Sequence, residues 1–257
     1  MVNILFKKSY QHKPFQNIPF DDLWNKKGIF TTIRVIGKPR RFLFMEGHLN
    51  NLNQSLKVLS IGFQIEKSFL NNIVYKLFKN NIYYDHLFRI AVTNNKISLS
   101  LRKRLKVKTK LKGVFVSYQR PNWKLKNLQY NKILTFLKNV DSQSQEIILT
   151  KNNLILEGAT TNILYVINKT IYIPKNGYYS GITLRFFLKH SKRKIVKKNI
   201  TKVQLKASDE IILVGSGRGV VNLDTIPQIH WHKNSNIVFN EFRKMYKSYI
   251  SKQIATK

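Results

Sequence analysis

The hydrophobic residues of the first hundred positions follow two different periods. Residues 28–36 are rich in β-branched side chains and alternate in polarity, which predicts a strand followed by a turn at Gly37 and Pro39. Leucines from Leu49 to Leu59 fall at helical spacing and predict a helix. The same two patterns predict a second helix over residues 69–78 and strands over residues 3–6, 42–45, 87–92, 97–101 and 114–118. This order of elements indicates an α+β unit with an antiparallel sheet.

A polar stretch with one proline, residues 119–122, interrupts the pattern, and we place a domain boundary there. We predict a small N-terminal α+β domain over residues 1–118, a linker over 119–122 and a C-terminal domain over 123–257. Within the C-terminal domain we predict a helix over residues 128–138, strands over 146–149, 163–166, 171–173 and 210–214, a turn at Asn176-Gly177, a helix beginning at Gly181, and a closing amphipathic helix from Val238 to Tyr249.

The composition excludes several classes of protein and site. With 43% hydrophobic residues among 257, the chain can build a sizeable core. No apolar run approaches the ~20 residues that a membrane helix needs, and the start lacks the apolar core of a signal peptide, so we expect a cytoplasmic protein without a membrane partner. The absence of cysteine excludes disulfides, thiolate zinc sites and cysteine nucleophiles. The six histidines show no metal-ligand spacing, and no metal is predicted.

The formal net charge of +34 has two interpretations. Basic tracts at residues 102–112 and 189–198 would attract polyanions. Alternatively the lysines reflect a compositional bias, which we favour because they are dispersed and accompany no nucleic-acid motif. Within residues 101–112, lysines alternate with leucine, valine and threonine, which predicts a strand with one solvated lysine face. We therefore expect no specific nucleic-acid partner.

Three residues in two short stretches are candidates for chemistry. Lys126 and Tyr130 lie in residues 123–130, and Glu157 lies in residues 156–162. A lysine amine can condense with an aldehyde cofactor, and a carboxylate facing a pyridine nitrogen keeps that nitrogen protonated. This combination is the design of a pyridoxal-phosphate site. Lys126 alone is a weak candidate, because the chain contains 46 lysines and arginines and most are expected to be solvated surface charges.

Two glycine-containing segments are candidate anion sites. Gly181-Ile182-Thr183 begins a predicted helix, whose N-terminal N–H groups and dipole favour phosphate. The alternative is an ordinary turn in which Thr183 caps the helix. Ser216 and Gly217 follow a predicted strand in a glycine-rich segment, where backbone amides can approach an anion closely. Because this segment lacks the lysine of a P-loop, its glycines alternatively only turn the chain.

In chain order, these segments resemble the fold-type IV, or class IV, pyridoxal-phosphate enzymes over residues 28–227. The group includes aminodeoxychorismate lyases, branched-chain aminotransferases and D-amino-acid aminotransferases. The Phe-Thr-Thr-Ile-Arg order at residues 30–34 is most similar to the lyases, and branched-chain aminotransferases place a tyrosine where this chain has Leu87. The resemblance implies an α+β fold with a small α/β sandwich domain and a larger C-terminal domain with a β-barrel-like core. It also implies a homodimer that binds pyridoxal 5′-phosphate between the domains and acts on a small-molecule substrate.

The resemblance assigns roles to individual residues. Lys126 corresponds to the Schiff-base lysine, Tyr130 to the tyrosine bonded to the cofactor's phenolic oxygen, and Glu157 to the partner of the pyridine nitrogen. The positions that bind the cofactor phosphate correspond to Ile182, Thr183, Ser216 and Gly217. On the substrate side, Thr32 is the candidate catalytic residue, and substrate-binding donors are expected from Thr32, Arg34, Arg89 and Arg218. For Arg34 and Arg89, the alternative is that they solvate strand faces or pair with carboxylates.

Two departures from the family pattern affect the expected activity. Asn51 stands where the motif His-x-x-Arg-Leu supplies an arginine for the phosphate, so one charge-assisted contact is missing. Leu184 precedes Arg185, one residue out of step with the usual Gly-Ile-Thr-Arg. The resemblance implies a 4-amino-4-deoxychorismate lyase, which forms 4-aminobenzoate and pyruvate in folate biosynthesis. The alternatives are a branched-chain or D-amino-acid aminotransferase, a catalytically degenerate homologue, and a basic polyanion-binding factor.

Overall fold

The structure, a computed structural model, describes residues 4–108 and 110–255. Asn3 and Thr109, which two of the predicted strands include, lie outside these residues. The chain forms a first unit of Met1–Arg104, Leu125–Asn131 and Ile250–Lys257, and a second unit of Leu105–Lys124 and Lys132–Tyr249.

This division differs from the predicted boundaries at residues 118 and 119–122. The strand Lys112–Ser117 pairs in parallel with Gln145–Lys151, so it belongs to a sheet of the second unit. Residues 119–122 then lie inside the second unit. The boundary between the units is therefore set by strand pairing between segments that are distant in the sequence. The polar stretch at residues 119–122 does not mark it.

The first unit contains one six-stranded antiparallel sheet and two helices. Its sheet has the order β2-β1-β6-β5-β3-β4. Its elements are β1 (Ile4–Gln11), β2 (Gln16–Ile18), β3 (Gly28–Gly37), β4 (Arg41–Phe42), α1 (Met45–Val58), α2 (Lys67–Leu77), β5 (Tyr84–Thr93) and β6 (Lys96–Lys103).

Strand β3 is buried along almost its whole length, because β5 pairs with it on one side from Gly28 to Gly37. Ile33 and Val35 pack in one core with Leu52 and Leu56 of α1. The leucines at helical spacing form the apolar face of α1, and the β-branched residues form the apolar face of β3. These two faces bury each other.

Two predictions for this region are wrong in part. The strand predicted over residues 42–45 ends at Phe42, because Phe44 takes a left-handed conformation (φ 56°) and α1 begins at Met45. The strand predicted over residues 101–112 ends at Lys103. Its ladder with β5 stops at the His86–Lys103 pair, and one more bond follows, from the Arg104 N–H to the Asp85 carbonyl at 3.1 Å. Further along, the Lys108 N–H donates to the Gln143 carbonyl of the second unit at 2.8 Å. An alternating pattern without a neighbouring strand does not form a sheet.

The second unit contains two five-stranded sheets, ordered β12-β11-β10-β13-β14 and β16-β15-β7-β8-β9. Its elements are β7 (Lys112–Ser117), α3 (Asn131–Lys138), β8 (Gln145–Lys151), β9 (Leu154–Gly158), β10 (Asn162–Ile167), β11 (Thr170–Ile173), α4 (Ile182–His190), β12 (Ile195–Lys197), α5 (Lys202–Leu205), β13 (Glu210–Gly215), β14 (Gly219–Asn222), β15 (Thr225–Ile226), a 3-10 turn (Pro227–Ile229), β16 (Trp231–His232) and most of α6 (Ile237–Ala255). The end of α6, from Ile250, belongs to the first unit.

The two sheets share one hydrophobic core. Phe115 and Ile148 from one sheet pack with Ile163, Ile211 and Leu213 from the other. Every strand predicted for this part of the chain is present. The sequence analysis did not predict β9, β12 or β14 to β16, nor the short helix α5.

None of the helices within residues 4–108 and 110–255 is both long and apolar enough to cross a membrane.

Candidate active site

Backbone pairing with strand β3 positions the segment that contains Lys126. The Phe30 N–H donates to the Lys126 carbonyl at 2.9 Å, and the Leu128 N–H donates to the Gly28 carbonyl at 2.9 Å. A Cβ at Gly28 would overlap the Val92 carbonyl oxygen and lie 2.6 Å from Cδ1 of Leu128, so only glycine permits this close approach. The helix predicted from residue 128 consequently begins later, at Asn131.

An aromatic cluster of Phe30, Tyr130 and Trp24 in the first unit contacts Lys126 through Phe30. The Lys126 Nζ lies 5.0 Å from the centroid of the Phe30 ring. The Phe30 ring meets Tyr130 edge-on at 5.3 Å, and Tyr130 stacks on Trp24 at 5.5 Å. The structure thus brings Lys126 and Tyr130 together through Phe30, and the sequence analysis did not identify Trp24 as part of this cluster. Aromatic faces stabilise an ammonium and limit its contact with water.

A buried histidine also belongs to this cluster. Nδ1 of His48 lies 2.7 Å from the Thr31 hydroxyl oxygen, and both residues are buried. Burial, reinforced by the positive charge of Lys126, lowers the pKa of His48 to about 3. The imidazole is therefore neutral at physiological pH and adds no second cation beside Lys126. In the sequence, His48 is the first residue of the altered His-x-x-Arg-Leu motif, and it has no role of its own in the predicted site.

The predicted substrate-side residues lie on β3 and β5 of the first unit. Thr32 is the register partner of Arg89, whose guanidinium stacks on Trp24 at 3.8 Å and donates to the Asp22 carbonyl at 2.9 Å. Burial lowers the pKa of Arg89 to about 10, and the Asp22 carboxylate opposes this shift. Arg89 thus contacts the same ring as Lys126, since its guanidinium also lies 5.3 Å from the centroid of Phe30.

Arg34 has a different environment. Its Nε donates to the Asp85 carboxylate at 2.9 Å, and Arg104 donates to the same oxygen at 2.9 Å. The pair with Asp85 matches the alternative role of Arg34, which is to neutralise a carboxylate instead of binding substrate. The substrate-binding roles of Thr32, Arg34 and Arg89 stay predictions.

Glu157 lies on β9 of the second unit with 4% of its surface exposed. Its Oε1 accepts two hydrogen bonds from Arg120, at 2.8 and 2.6 Å, and its Oε2 accepts one from the Tyr179 N–H at 3.1 Å. The guanidinium compensates the buried negative charge, which would otherwise be strongly unfavourable. The sequence carried no local signal for Arg120, because it is 37 positions from its partner.

A chain of hydrogen bonds connects Glu157 to the start of α4. The Asn162 amide donates to the Tyr179 carbonyl at 2.5 Å, and its Oδ1 accepts from the Gly181 N–H at 3.1 Å. A Cβ at Gly181 would lie 2.6 Å from that Oδ1, so the contact requires glycine. The structure therefore brings the predicted pyridine partner and the predicted phosphate segment to the same part of the second unit.

Two buried hydroxyls in this region are without a hydrogen-bond partner among the described residues: Oγ1 of Thr161 and Oγ1 of Thr183. Thr183 does not cap α4, because Gly181 is the N-cap residue and no side chain bonds there. An unsatisfied buried hydroxyl is costly and indicates a missing polar partner. Hydroxyl donors beside the N-terminus of a nine-residue helix suit an anionic ligand such as a phosphate group.

Ser216 and Gly217 lie in the turn between β13 and β14. A Cβ at the preceding Gly215 would lie 3.1 Å from the Thr160 carbonyl, so this turn approaches the β9–β10 connection closely. Arg218 forms a buried ion pair with Glu146 and donates to the Gln145 carbonyl at 2.7 Å. Its predicted role in substrate binding stays a prediction.

Asn51 lies half-buried on α1, and its carbonyl accepts the Ser55 hydroxyl at 2.7 Å. The loss of one charge-assisted phosphate contact at this position stays a prediction.

Comparison with known proteins gave consistent matches along most of the chain. The family model described as amino-transferase class IV matches residues 28–226. The chain is 23% identical over 260 aligned positions to the aminodeoxychorismate lyase of Bacillus subtilis (strain 168), covering 90% of this chain and 88% of that protein.

Solved structures with the same fold include a provisionally assigned 4-amino-4-deoxychorismate lyase from Legionella pneumophila and a branched-chain aminotransferase from the thermophilic archaeon Thermoproteus uzoniensis. The first has a TM-score of 0.75 and 18% identity, covering 86% of this chain and 91% of that one. The second, solved with norvaline, has a TM-score of 0.77 and 16% identity, covering 96% of this chain and 94% of that one. These similarities confirm the predicted fold class.

Proposed function

Because this chain belongs to the class IV aminotransferase family, a family of pyridoxal-phosphate-dependent enzymes, we propose that it is a 4-amino-4-deoxychorismate lyase. The observation that supports this activity is the similarity to the Bacillus subtilis aminodeoxychorismate lyase over 90% of the chain. The reaction converts 4-amino-4-deoxychorismate into 4-aminobenzoate and pyruvate, which places the enzyme in folate biosynthesis.

The residues present fit pyridoxal 5′-phosphate. Bound pyridoxal phosphate supplies an aldehyde that combines with an amine and a ring that accepts electrons. In the proposal, Lys126 Nζ would combine with the aldehyde, Tyr130 would bond the phenolic oxygen, and Glu157 would keep the pyridine nitrogen protonated. Ile182, Thr183, Ser216 and Gly217 would supply backbone and hydroxyl donors to the cofactor's phosphate. The unsatisfied buried hydroxyl of Thr183 supports this assignment.

Lys126 Nζ is the proposed group that removes the ring proton of the substrate. This Nζ lies 5.0 Å from the centroid of the Phe30 ring, in the same aromatic cluster as Tyr130, the proposed partner of the cofactor's phenolic oxygen. Thr32 is the proposed catalytic hydroxyl on the substrate side, next to Arg89 across the sheet. Arg34, Arg89 and Arg218 are the proposed donors to the substrate's carboxylates.

The decisive experiment supplies the purified protein with pyridoxal phosphate and 4-amino-4-deoxychorismate. We expect 4-aminobenzoate and pyruvate in equal amounts, with no accumulation of the pyridoxamine form of the cofactor. Lys126→Ala should abolish turnover, and borohydride should fix a pyridoxyl label to Lys126 in the native chain only.

Leucine, valine and D-alanine with 2-oxoglutarate form the comparison set. Rapid formation of pyridoxamine phosphate with one of them, while 4-amino-4-deoxychorismate stays unconverted, would identify an aminotransferase instead. Failure to take up the cofactor at all would identify a degenerate homologue.

The proposal includes a homodimer in the cytoplasm. The family resemblance supports the dimer, and light scattering of the purified protein would measure its mass.

A further inference from the structure

Glu146 is a fully buried carboxylate that the proposed chemistry does not use. It lies on β8 with 0% of its side chain exposed. Its Oε2 pairs with Nε of Arg218, and its Oε1 accepts the Thr160 N–H at 3.1 Å. The Thr160 hydroxyl lies 3.3 and 3.2 Å from the two carboxylate oxygens. One carboxylate therefore contacts residues from two different loops.

The first of these loops is the β13–β14 turn, residues 215–219. Arg218 is fixed to two successive residues of β8, because Nε pairs with Glu146 and Nη2 donates to the Gln145 carbonyl at 2.7 Å. Ser216 and Gly217 directly precede it. The direction of their N–H groups thus depends on where Arg218 is held.

The second loop connects β9 to β10, residues 159–161. Thr160 is held by Glu146 through both its N–H and its hydroxyl. Thr161, with its unsatisfied buried hydroxyl, follows directly. The two loops also approach each other at Gly215, where a Cβ would lie 3.1 Å from the Thr160 carbonyl. A single charge therefore fixes one loop relative to the other.

We propose that Glu146 is a positioning residue that holds these two loops together and thereby sets the affinity of the second unit for the cofactor phosphate. This inference rests on the proposed function, since it assumes that the ligand is pyridoxal phosphate. Neutralising Glu146 leaves the buried Arg218 guanidinium without its counter-charge, and the loops then lose their common anchor.

The test compares binding of pyridoxal phosphate and of pyridoxal, which lacks the phosphate, to the full-length apoprotein. Glu146→Gln should raise the Kd for pyridoxal phosphate by about 10-fold or more, the scale of one lost hydrogen bond to a charged group. The Kd for pyridoxal should change by less than about threefold, because pyridoxal makes no phosphate contact. An equal change for both ligands would overturn the proposal.

Glu241→Gln is the matched control. It breaks an Arg–Glu pair of the same unit that is exposed, with side-chain exposures of 30% for Arg193 and 45% for Glu241. We expect neither Kd to change, because exposed ion pairs contribute little.

A double variant keeps the test decisive if Glu146→Gln fails to fold. Glu146→Gln combined with Arg218→Gln removes both charges and leaves no buried guanidinium uncompensated. We expect it to fold and still to lose its preference for pyridoxal phosphate over pyridoxal. Native affinity for pyridoxal phosphate in the double variant would reduce the Glu146–Arg218 pair to a purely structural role and overturn the proposal.

Hydrogen exchange in the apoprotein separates this inference from the proposed function. Glu146→Gln should accelerate amide exchange in residues 159–161 and 215–219 together, relative to Glu241→Gln. Acceleration in only one loop would overturn the coupling. If the native chain binds neither ligand, the proposed function fails and the phosphate role of Glu146 fails with it. If the native chain binds pyridoxal phosphate and Glu146→Gln binds it with the same Kd, this inference alone is contradicted.

Discussion

At the scale of single residues, the neutral state of His48 is a consequence of its surroundings. Its Nδ1 contacts the Thr31 hydroxyl, and burial beside Lys126 lowers its pKa to about 3. In the unfolded chain the imidazole has a pKa of ~6.5. The unfolded state therefore binds one more proton than the folded state between these two values, and acid favours unfolding there.

We predict that the free energy of unfolding falls by roughly 1.4 kcal/mol per pH unit from His48 alone as the pH drops below about 6.5. The contribution is complete above that pH and is lost as the pH approaches 3. His48→Gln should remove this part of the slope in urea unfolding measured at pH 5 and pH 7. His232→Gln, at an exposed position, serves as the control. Identical slopes for the native chain and His48→Gln would contradict the assignment.

At the scale of elements, a buried carboxylate holds the start of α6. Glu210 is 0% exposed, and it accepts the N–H groups of Val238 and Phe239 at 2.9 and 2.8 Å and the Ser235 hydroxyl at 2.9 Å. The first N–H groups of a helix have no partner within the helix, and a negative charge there also complements the helix dipole.

Glu210→Gln should lower the free energy of unfolding by about 2–3 kcal/mol, the range for hydrogen bonds to a charged group. Urea unfolding followed by circular dichroism measures the change. Glu241→Gln, also on α6 but half-exposed, should cost less than ~1 kcal/mol. Equal costs for the two variants would show that Glu210 does not stabilise the helix start.

At the scale of the whole molecule, the net charge of +34 is the dominant electrostatic property. The chain contains only 12 acidic residues, and several of them, such as Glu146 and Glu157, are buried in ion pairs. The excess lysines must therefore attract any polyanion through phosphate contacts that carry no sequence information.

We predict weak association with duplex DNA that falls by several orders of magnitude between ~50 and ~200 mM salt. Fluorescence anisotropy with two duplexes of equal length and scrambled sequence measures both affinity and preference. Binding that survives ~200 mM salt and distinguishes the two sequences would show a specific nucleic-acid function instead.

By itself, the sequence determined most of the individual elements and the candidate chemistry. The leucine spacing of α1, the alternation of β3 and the glycine before α4 are local patterns, and each produced the expected element. The order of Lys126, Tyr130 and Glu157 was likewise readable along the chain and led to the family that the comparison confirmed. Local periodicity is visible in sequence because it depends only on neighbouring residues.

Only the tertiary structure decided which distant groups meet. The alternating tract at residues 101–112 has the pattern of a strand, but its ladder with β5 stops at Lys103, and by Lys108 the backbone bonds to Gln143 of the second unit instead. Arg120 and Arg218 lie 37 and 72 positions from the carboxylates that neutralise them. A buried charge needs a partner at hydrogen-bond distance, and the folding of the sheets supplies that partner, whatever its distance along the chain.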